Sequence, residues 1–138
     1  MGVKVMVVDD STMMRKMIRD IINVDPDLVV EGDAANGEVA LEKVKELNPD
    51  IILLDIEMPV MDGIEFMKHL KLISNAKVII LSKLVQTGSR ATVEARELGA
   101  VDVIAKPSGA VSLDLEKKKG HEIVKAIRRA MELPEKAD

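Results

Sequence analysis

Val5-Met-Val-Val-Asp-Asp10 is an apolar run that breaks off in two carboxylates, and Ile51-Ile-Leu-Leu-Asp55 repeats the pattern. A third run, Val78-Ile-Ile-Leu81, stops at Ser82; a fourth, Val101-Asp-Val-Ile104, leads into Lys106-Pro107. Short runs that are apolar on both faces suit strands of a parallel sheet covered by helices on both sides. In such a sheet the carboxyl ends of neighbouring strands gather at one crevice. Asp9, Asp10, Asp55, Ser82 and Lys106 are therefore expected to converge. Clustered carboxylates repel one another unless a cation sits among them, so a hard, oxygen-loving ion such as Mg²⁺ is the expected occupant.

Outward from these runs, strands are expected near residues 4–8, 28–32, 51–54, 77–81 and 101–104, with segments of helical period between them. After an N-cap candidate at Ser11, Met14, Met17, Ile18 and Ile21 recur at helical spacing. Ala40, Leu41, Val44 and Leu47 form a second stripe, stopped by Asn48-Pro49. Phe66, Met67, Leu70 and Ile73 form a third, after the turn Met58-Pro-Val-Met-Asp-Gly63. A fourth, Ala91, Ala95 and Leu98, is closed by Gly99, where a left-handed cap is favoured. Ile123, Val124, Ile127 and Ala130 make the last. Five βα units in alternation imply right-handed crossovers and a three-layer α/β sandwich, for which the flavodoxin-like strand order 2-1-3-4-5 fits the length best. Ser108-Gly-Ala-Val-Ser-Leu-Asp114 reads as a long polar connection, and residues 133–138 as a linker or frayed tail after a single domain over 1–132.

The chain has 138 residues, enough for one core, and a formal charge of −4. That balance gives no basic footprint for nucleic acid, and Lys117-Lys118-Lys119 reads as a solvated helix face. With no cysteine there is neither a disulfide framework nor a thiolate metal site. No apolar run approaches the roughly 20 residues that span a bilayer, and no signal-peptide core precedes Asp9, so a soluble cytoplasmic protein is expected. Nine methionines, Met13, Met14 and Met17 among them, read as core filler. His69 and His121 lack ligand-spaced partners and read as surface residues.

Each site residue also has a plainer reading. Asp10 or Ser11 could cap the first helix, but capping uses one side chain and leaves a second carboxylate unexplained. A lone Lys106 would be an ordinary surface lysine, and a lone Ser82 a loop hydroxyl. Asp55, ending another strand, is independent of the first helix. Charges flanked by apolar runs are costly unless paired, which favours a site. Asp55 is then either a metal ligand alone or a nucleophile that forms an acyl phosphate, with metal and lysine neutralising the phosphoryl oxygens. No phosphate-binding glycine loop follows any strand, so nucleotide binding is disfavoured.

Asp9-Asp10, Asp55, Ser82 and Lys106-Pro107 in a five-unit βα frame resemble the receiver domain of two-component response regulators, over roughly the whole chain. The resemblance implies that Asp55 is the phosphoacceptor, that Asp9 and Asp10 are Mg²⁺ carboxylates, and that the backbone carbonyl of Glu57 is a further ligand. It makes Ser82 the switch hydroxyl, Lys106 the phosphoryl contact and Lys106–Pro107 a cis peptide. Residues 20–27 (Asp-Ile-Ile-Asn-Val-Asp-Pro-Asp), Glu57-Met-Pro-Val-Met-Asp-Gly63, Glu97-Leu-Gly-Ala-Val-Asp102 and Lys106-Pro-Ser-Gly109 with Val111-Ser-Leu-Asp-Leu115 look like the receivers of chemotaxis protein-glutamate methylesterases. There a linker joins the receiver to a C-terminal hydrolase; no G-x-S-x-G turn of such a hydrolase occurs here. The position three before Lys106 is usually aromatic in receivers and is Val103 here, so any relay is expected to run through the loop 83–88.

The expected partner is a chemotaxis-type histidine kinase, with a C-terminal methylesterase domain as a possible companion. Three alternatives stand beside the leading reading. One is a stand-alone regulator acting on another protein. Another is a Mg²⁺-dependent phosphohydrolase, which would need a general acid beside Asp55. The third is a plain flavodoxin-like binding module.

Overall fold

The computed structural model of the chain describes residues 2–83, 88–106 and 113–134, over 113–121 the backbone alone. The elements run β1 (Val3–Val8), α1 (Thr12–Asn23), β2 (Leu28–Ala34), α2 (Gly37–Leu47), β3 (Ile51–Asp55), α3 (Gly63–Leu70), β4 (Lys77–Ser82), α4 (Arg90–Glu97), β5 (Asp102–Ala105) and α5 (Leu113–Ala130). The strands form one parallel sheet in the order β2-β1-β3-β4-β5, the flavodoxin-like order expected from the length of the chain.

The alternation of side chains along the strands builds two cores. Met6, Val8, Ile52, Leu54, Val78 and Ile80 face one way, against Ala40 and Val44 of α2, Phe66, Met67 and Leu70 of α3 and Ala95 of α4. Val5, Val7, Ile51, Leu53, Ile79 and Leu81 face the other way, against Ile18 and Ile22 of α1 and Ile123, Ala126 and Ile127 of α5. Both faces of β3 are therefore dry, and a charge at its end emerges from hydrocarbon into a cleft.

Local chemistry sets the helix ends. Ser11, Asn36, Asp62 and Ser89 each accept a backbone N–H three residues on, which satisfies a donor the helix cannot. Asn48 closes α2 in the left-handed conformation, and Gly99 follows α4 at φ +112°.

Three expectations fail locally. Met13 is 76% exposed while Met14 packs on the α1–α5 core, because one residue along a helix turns a side chain by about 100°. Ile73 lies beyond the end of α3 and is exposed. Leu113 and Asp114 belong to α5, so the connection after β5 is shorter than the polar residues suggested. The Lys106–Pro107 peptide, the segment 107–112 and the side chains of His121 and Lys117-Lys118-Lys119 lie outside the described residues. His69 is exposed.

At the far end, Arg128 is buried and donates to Asp25, Asp27 and the Pro134 carbonyl at 2.8, 3.0 and 2.8 Å. This ties the chain leaving α5 to the loop before β2. The ion pair with two carboxylates holds the guanidinium pKa above its ordinary value despite the opposing effect of burial.

Candidate phosphoryl and metal site

Register brings the acidic residues together. Val8 pairs with Leu54 across β1 and β3, so Asp9 and Asp55 follow one step beyond at the same level. Asp55 pairs with Leu81 and Ser82 with Ala105, which puts Ser82 and Lys106 at the same edge. The Lys106 N–H donates to the Ser82 carbonyl at 2.8 Å, holding the end of β5 to β4.

Asp9, Asp10 and Asp55 each offer a carboxylate oxygen, all within 4.8 Å of one another. Asp9 and Asp55 are buried, while Asp10 is exposed. The Lys106 ammonium sits 2.8 Å from Asp9 Oδ2 and 3.1 Å from Asp55 Oδ2. The other Asp9 oxygen accepts the Ser11 N–H at 2.8 Å. Burial, then the charge of Asp9, pushes the Asp55 carboxyl from 3.8 up to about 6; Lys106 pulls it down, and Asp10 adds a smaller push upward. Lys106 is raised above its ordinary value: burial alone would lower it, but its pairing with Asp9, then Asp55, outweighs that. The site carries more negative charge than one ammonium balances. Three hard oxygen donors in this arrangement suit an oxygen-loving divalent cation.

A cleft of about 510 Å³ opens over Asp55, lined by Asp10, Glu57, Met58, Asp62, Lys83 and Lys106 among others. Glu57 thus lines the same cleft as Asp10 and Asp55. Ser82 does not line the cleft; it is buried, and its hydroxyl donates to the Lys83 carbonyl at 3.3 Å. Val103 is half-buried against the α2–α4 core, and residues 84–87 of the expected relay loop lie outside the described residues.

The floor of the cleft rests on a tight approach that apolar patterning does not reveal. The Gly63 N–H donates to the Ile56 carbonyl at 2.8 Å, and a Cβ at Gly63 would lie 2.4 Å from the Asp55 carbonyl oxygen. Val60 has φ +70°, uncommon for a β-branched residue, with the Met61 N–H donating to the Pro59 carbonyl at 2.7 Å. The Gly37 N–H at the start of α2 donates to the Met61 carbonyl at 3.0 Å. Arg15, likewise unmarked by any pattern, donates to the Asp9 carbonyl at 2.7 Å.

The family model "Response regulator receiver domain" matches residues 5–115. The chain is 50% identical over 127 residues to a protein-glutamate methylesterase/protein-glutamine glutaminase of Syntrophomonas wolfei, covering 92% of this chain and 36% of that protein. It is 43% identical over 132 residues to the corresponding protein of Pyrococcus horikoshii, again 36% of its length. The chain therefore spans about a third of the curated relatives it matches. Among solved structures, the response regulator domain of Thermotoga maritima CheB superposes with a TM-score of 0.85 at 42% identity, covering 98% of this chain and 100% of that one. A chain in the crystal structure of the P1 domain of CheA3 in complex with CheY6 from R. sphaeroides gives 0.77 at 49% identity, covering 93% of this chain and 95% of that one. No helix among the described residues is long and apolar enough to cross a membrane.

Proposed function

This chain belongs to the response regulator receiver domain family, and from that premise we propose that it accepts a phosphoryl group on Asp55 from a chemotaxis-type histidine kinase. The observation carrying this is the convergence of three carboxylates within 4.8 Å, with one ammonium 3.1 Å from Asp55, at the carboxyl edge of the sheet. The likeness to a chain crystallised with a CheA3 P1 domain supports the partner.

Asp55 is the nucleophile. Above about pH 6 its carboxylate is ionised, and one oxygen attacks the phosphorus of a phosphohistidine. The P–N bonding pair returns to the imidazole as the P–O bond forms. Asp9, Asp10, Asp55 and the Glu57 carbonyl would hold Mg²⁺, whose charge would offset that of the phosphoryl oxygens. Lys106 contacts the phosphoryl group as a mobile point charge. The Ser82 hydroxyl, now turned to the Lys83 carbonyl, exchanges that weak bond for a phosphoryl oxygen and reports the modification.

Residues 1–132 form the receiver, with 133–138 as a linker or C-terminal tail, and in a longer protein it regulates a methylesterase domain. A stand-alone regulator acting on another protein is the alternative; the reading frame beyond Asp138 distinguishes them. The proposal is tested by mixing the protein with a ³²P-labelled P1 domain of a chemotaxis kinase and Mg²⁺. Label is expected to leave the P1 domain faster than without the receiver, and faster with Mg²⁺ than with a chelator. Loss of label at the rate of the P1 domain alone would contradict the proposal.

Two predictions arise here. Mg²⁺ and the Asp55 proton compete, because a ligating carboxylate must be ionised. Mg²⁺ affinity by calorimetry is therefore expected to be steady above pH 7 and to fall by up to about ten-fold per pH unit below about 6, as one proton is displaced. An affinity flat down to pH 5 would contradict this coupling.

Lys106→Ala has a split effect. The ammonium stands between Asp9 and Asp55, where a cation would compete with it, so its removal should tighten Mg²⁺ binding while lowering the midpoint of the metal-free fold. Phosphoryl-dependent change should weaken. A large loss of Mg²⁺ affinity in this variant would overturn the division of labour.

A further inference from the structure

We infer that Arg15 is a positioning residue of the cation site, holding the peptide that sets the angle between the Asp9 and Asp10 carboxylates. The inference rests on the Mg²⁺ reading above and names a residue outside the proposed ligand set.

Arg15 lies in the first turn of α1, its side chain 16% exposed. Its guanidinium uses all three nitrogens. Nη1 donates to the Asp9 carbonyl at 2.7 Å, Nε to Asp33 Oδ2 at 3.1 Å, and Nη2 to Thr12 Oγ1 at 3.3 Å. Asp33 is on β2, the strand beside β1, and is held in turn: Arg19 reaches the same Oδ2 at 3.4 Å, and the Lys43 ammonium donates to its carbonyl. The planar fork therefore bridges β2 to the loop after β1, a span that an ammonium with a single point of charge cannot reproduce.

The bonded oxygen is what gives this bridge a function. The Asp9 carbonyl belongs to the peptide plane that includes the Asp10 nitrogen and Cα, so fixing that oxygen fixes the point and the N–Cα axis from which the Asp10 side chain departs. Asp9 has other anchors: its N–H donates to the Ala34 carbonyl at 3.0 Å, and its carboxylate meets Ser11 and Lys106. Asp10 has none of this; its exposed carboxylate makes no hydrogen bond or ion pair among the described residues. Its orientation is inherited from the backbone that Arg15 clamps. Partners that orient metal ligands typically influence affinity about 10- to 100-fold when removed.

Charge and geometry predict opposite signs, which makes the inference testable. Acting only as a positive charge near the site, Arg15 would repel Mg²⁺, so Arg15→Gln would tighten binding and Arg15→Lys would leave it unchanged. Acting as a clamp, its loss weakens binding in both variants.

The experiment is calorimetric titration of the full chain with MgCl₂ near neutral pH, beside melts of each metal-free protein. The variants are Arg15→Gln, Arg15→Lys and, as control, Arg19→Gln, which removes the same charge and an Asp33 partner but touches no part of the Asp9–Asp10 peptide. A dissociation constant weakened about ten-fold in both Arg15 variants is expected, with Arg19→Gln within about two-fold of the unmodified chain. Affinity unchanged or tighter in a folded Arg15 variant, whatever its midpoint, would overturn the inference, and the Lys variant carries the test if Gln fails to fold. Failure of the unmodified chain to bind Mg²⁺ would instead overturn the Mg²⁺ reading on which it rests.

Discussion

Asp55→Asn is expected to melt at a higher temperature than the unmodified protein in chelator at pH 7, while losing both its Mg²⁺-dependent stabilisation and its phosphoryl uptake. In the native chain the carboxyl is lifted from 3.8 to about 6 by burial and by the charge of Asp9. Between about pH 4 and 6 the folded protein keeps a proton that the unfolded chain has released. Raising pH through that window therefore lowers stability, and the favourable contribution present at lower pH is gone above about 6. The upper bound of this effect is ~3 kcal/mol. Solvent in the open cleft reduces it to about 1–2 kcal/mol, or about 3–6 °C in midpoint. Asparagine has nearly the same shape, carries no charge and leaves Lys106 paired with Asp9 at 2.8 Å. Melts of both proteins from pH 4 to 8 should converge at the acid end and separate toward neutrality. A variant less stable at pH 7 than the unmodified protein would contradict the electrostatic description.

Gly63→Ala should have the opposite and larger effect on the fold. The added Cβ would meet the Asp55 carbonyl oxygen at 2.4 Å and the Ile56 Cα at 2.9 Å. Both are backbone atoms, so no side chain can rotate away. Either β3 or the first turn of α3 must move, and the Gly63 N–H bond to the Ile56 carbonyl would stretch with it. The cost is about 3 kcal/mol, or about 10 °C in midpoint, with Mg²⁺ affinity reduced as well because Asp55 is displaced. Gly88→Ala is the control: among the described residues other than its chain neighbours, no atom lies within 4 Å of an added Cβ, and its effect should be under about 0.5 kcal/mol. Equal midpoints for the two variants would show that the approach at Gly63 is not tight.

The convergence of Asp9, Asp10, Asp55 and Lys106 was legible because Val5–Val8 and Ile51–Leu54 are uninterrupted apolar runs ending in carboxylates and the last run leads into Lys106. In a parallel sheet those ends have nowhere else to go. The strand order came from the length of a five-unit βα frame and not from the pattern. Helix starts at Ser11 and stops at Asn48 and Gly99 were legible because capping is local chemistry. Met13 and Ile73 were misread for a physical reason: apolar character does not distinguish a residue on a helical stripe from one beside it or just past its end. The full length of α5 was hidden because its first turns are polar. The supports of the site left no mark in the apolar periodicity, although Val60 and Gly63 lie in the turn that the sequence showed. Arg15 acts on a backbone oxygen through a strand 18 residues away in sequence. Gly63 matters for what its missing Cβ would strike, and Val60 for a backbone angle that its side chain disfavours. Such residues are defined by tertiary approach, which periodicity does not record.

The most direct test of the central claim is to trap the acyl phosphate where it forms. The protein is treated with acetyl phosphate and Mg²⁺, then with borohydride, which reduces an aspartyl phosphate to a primary alcohol and leaves a permanent mass mark. Peptide mass spectrometry should find that mark on one residue, Asp55, only when donor and Mg²⁺ are both present. No mark, or a mark on Asp9 or Asp10 with Asp55 intact, would contradict the account.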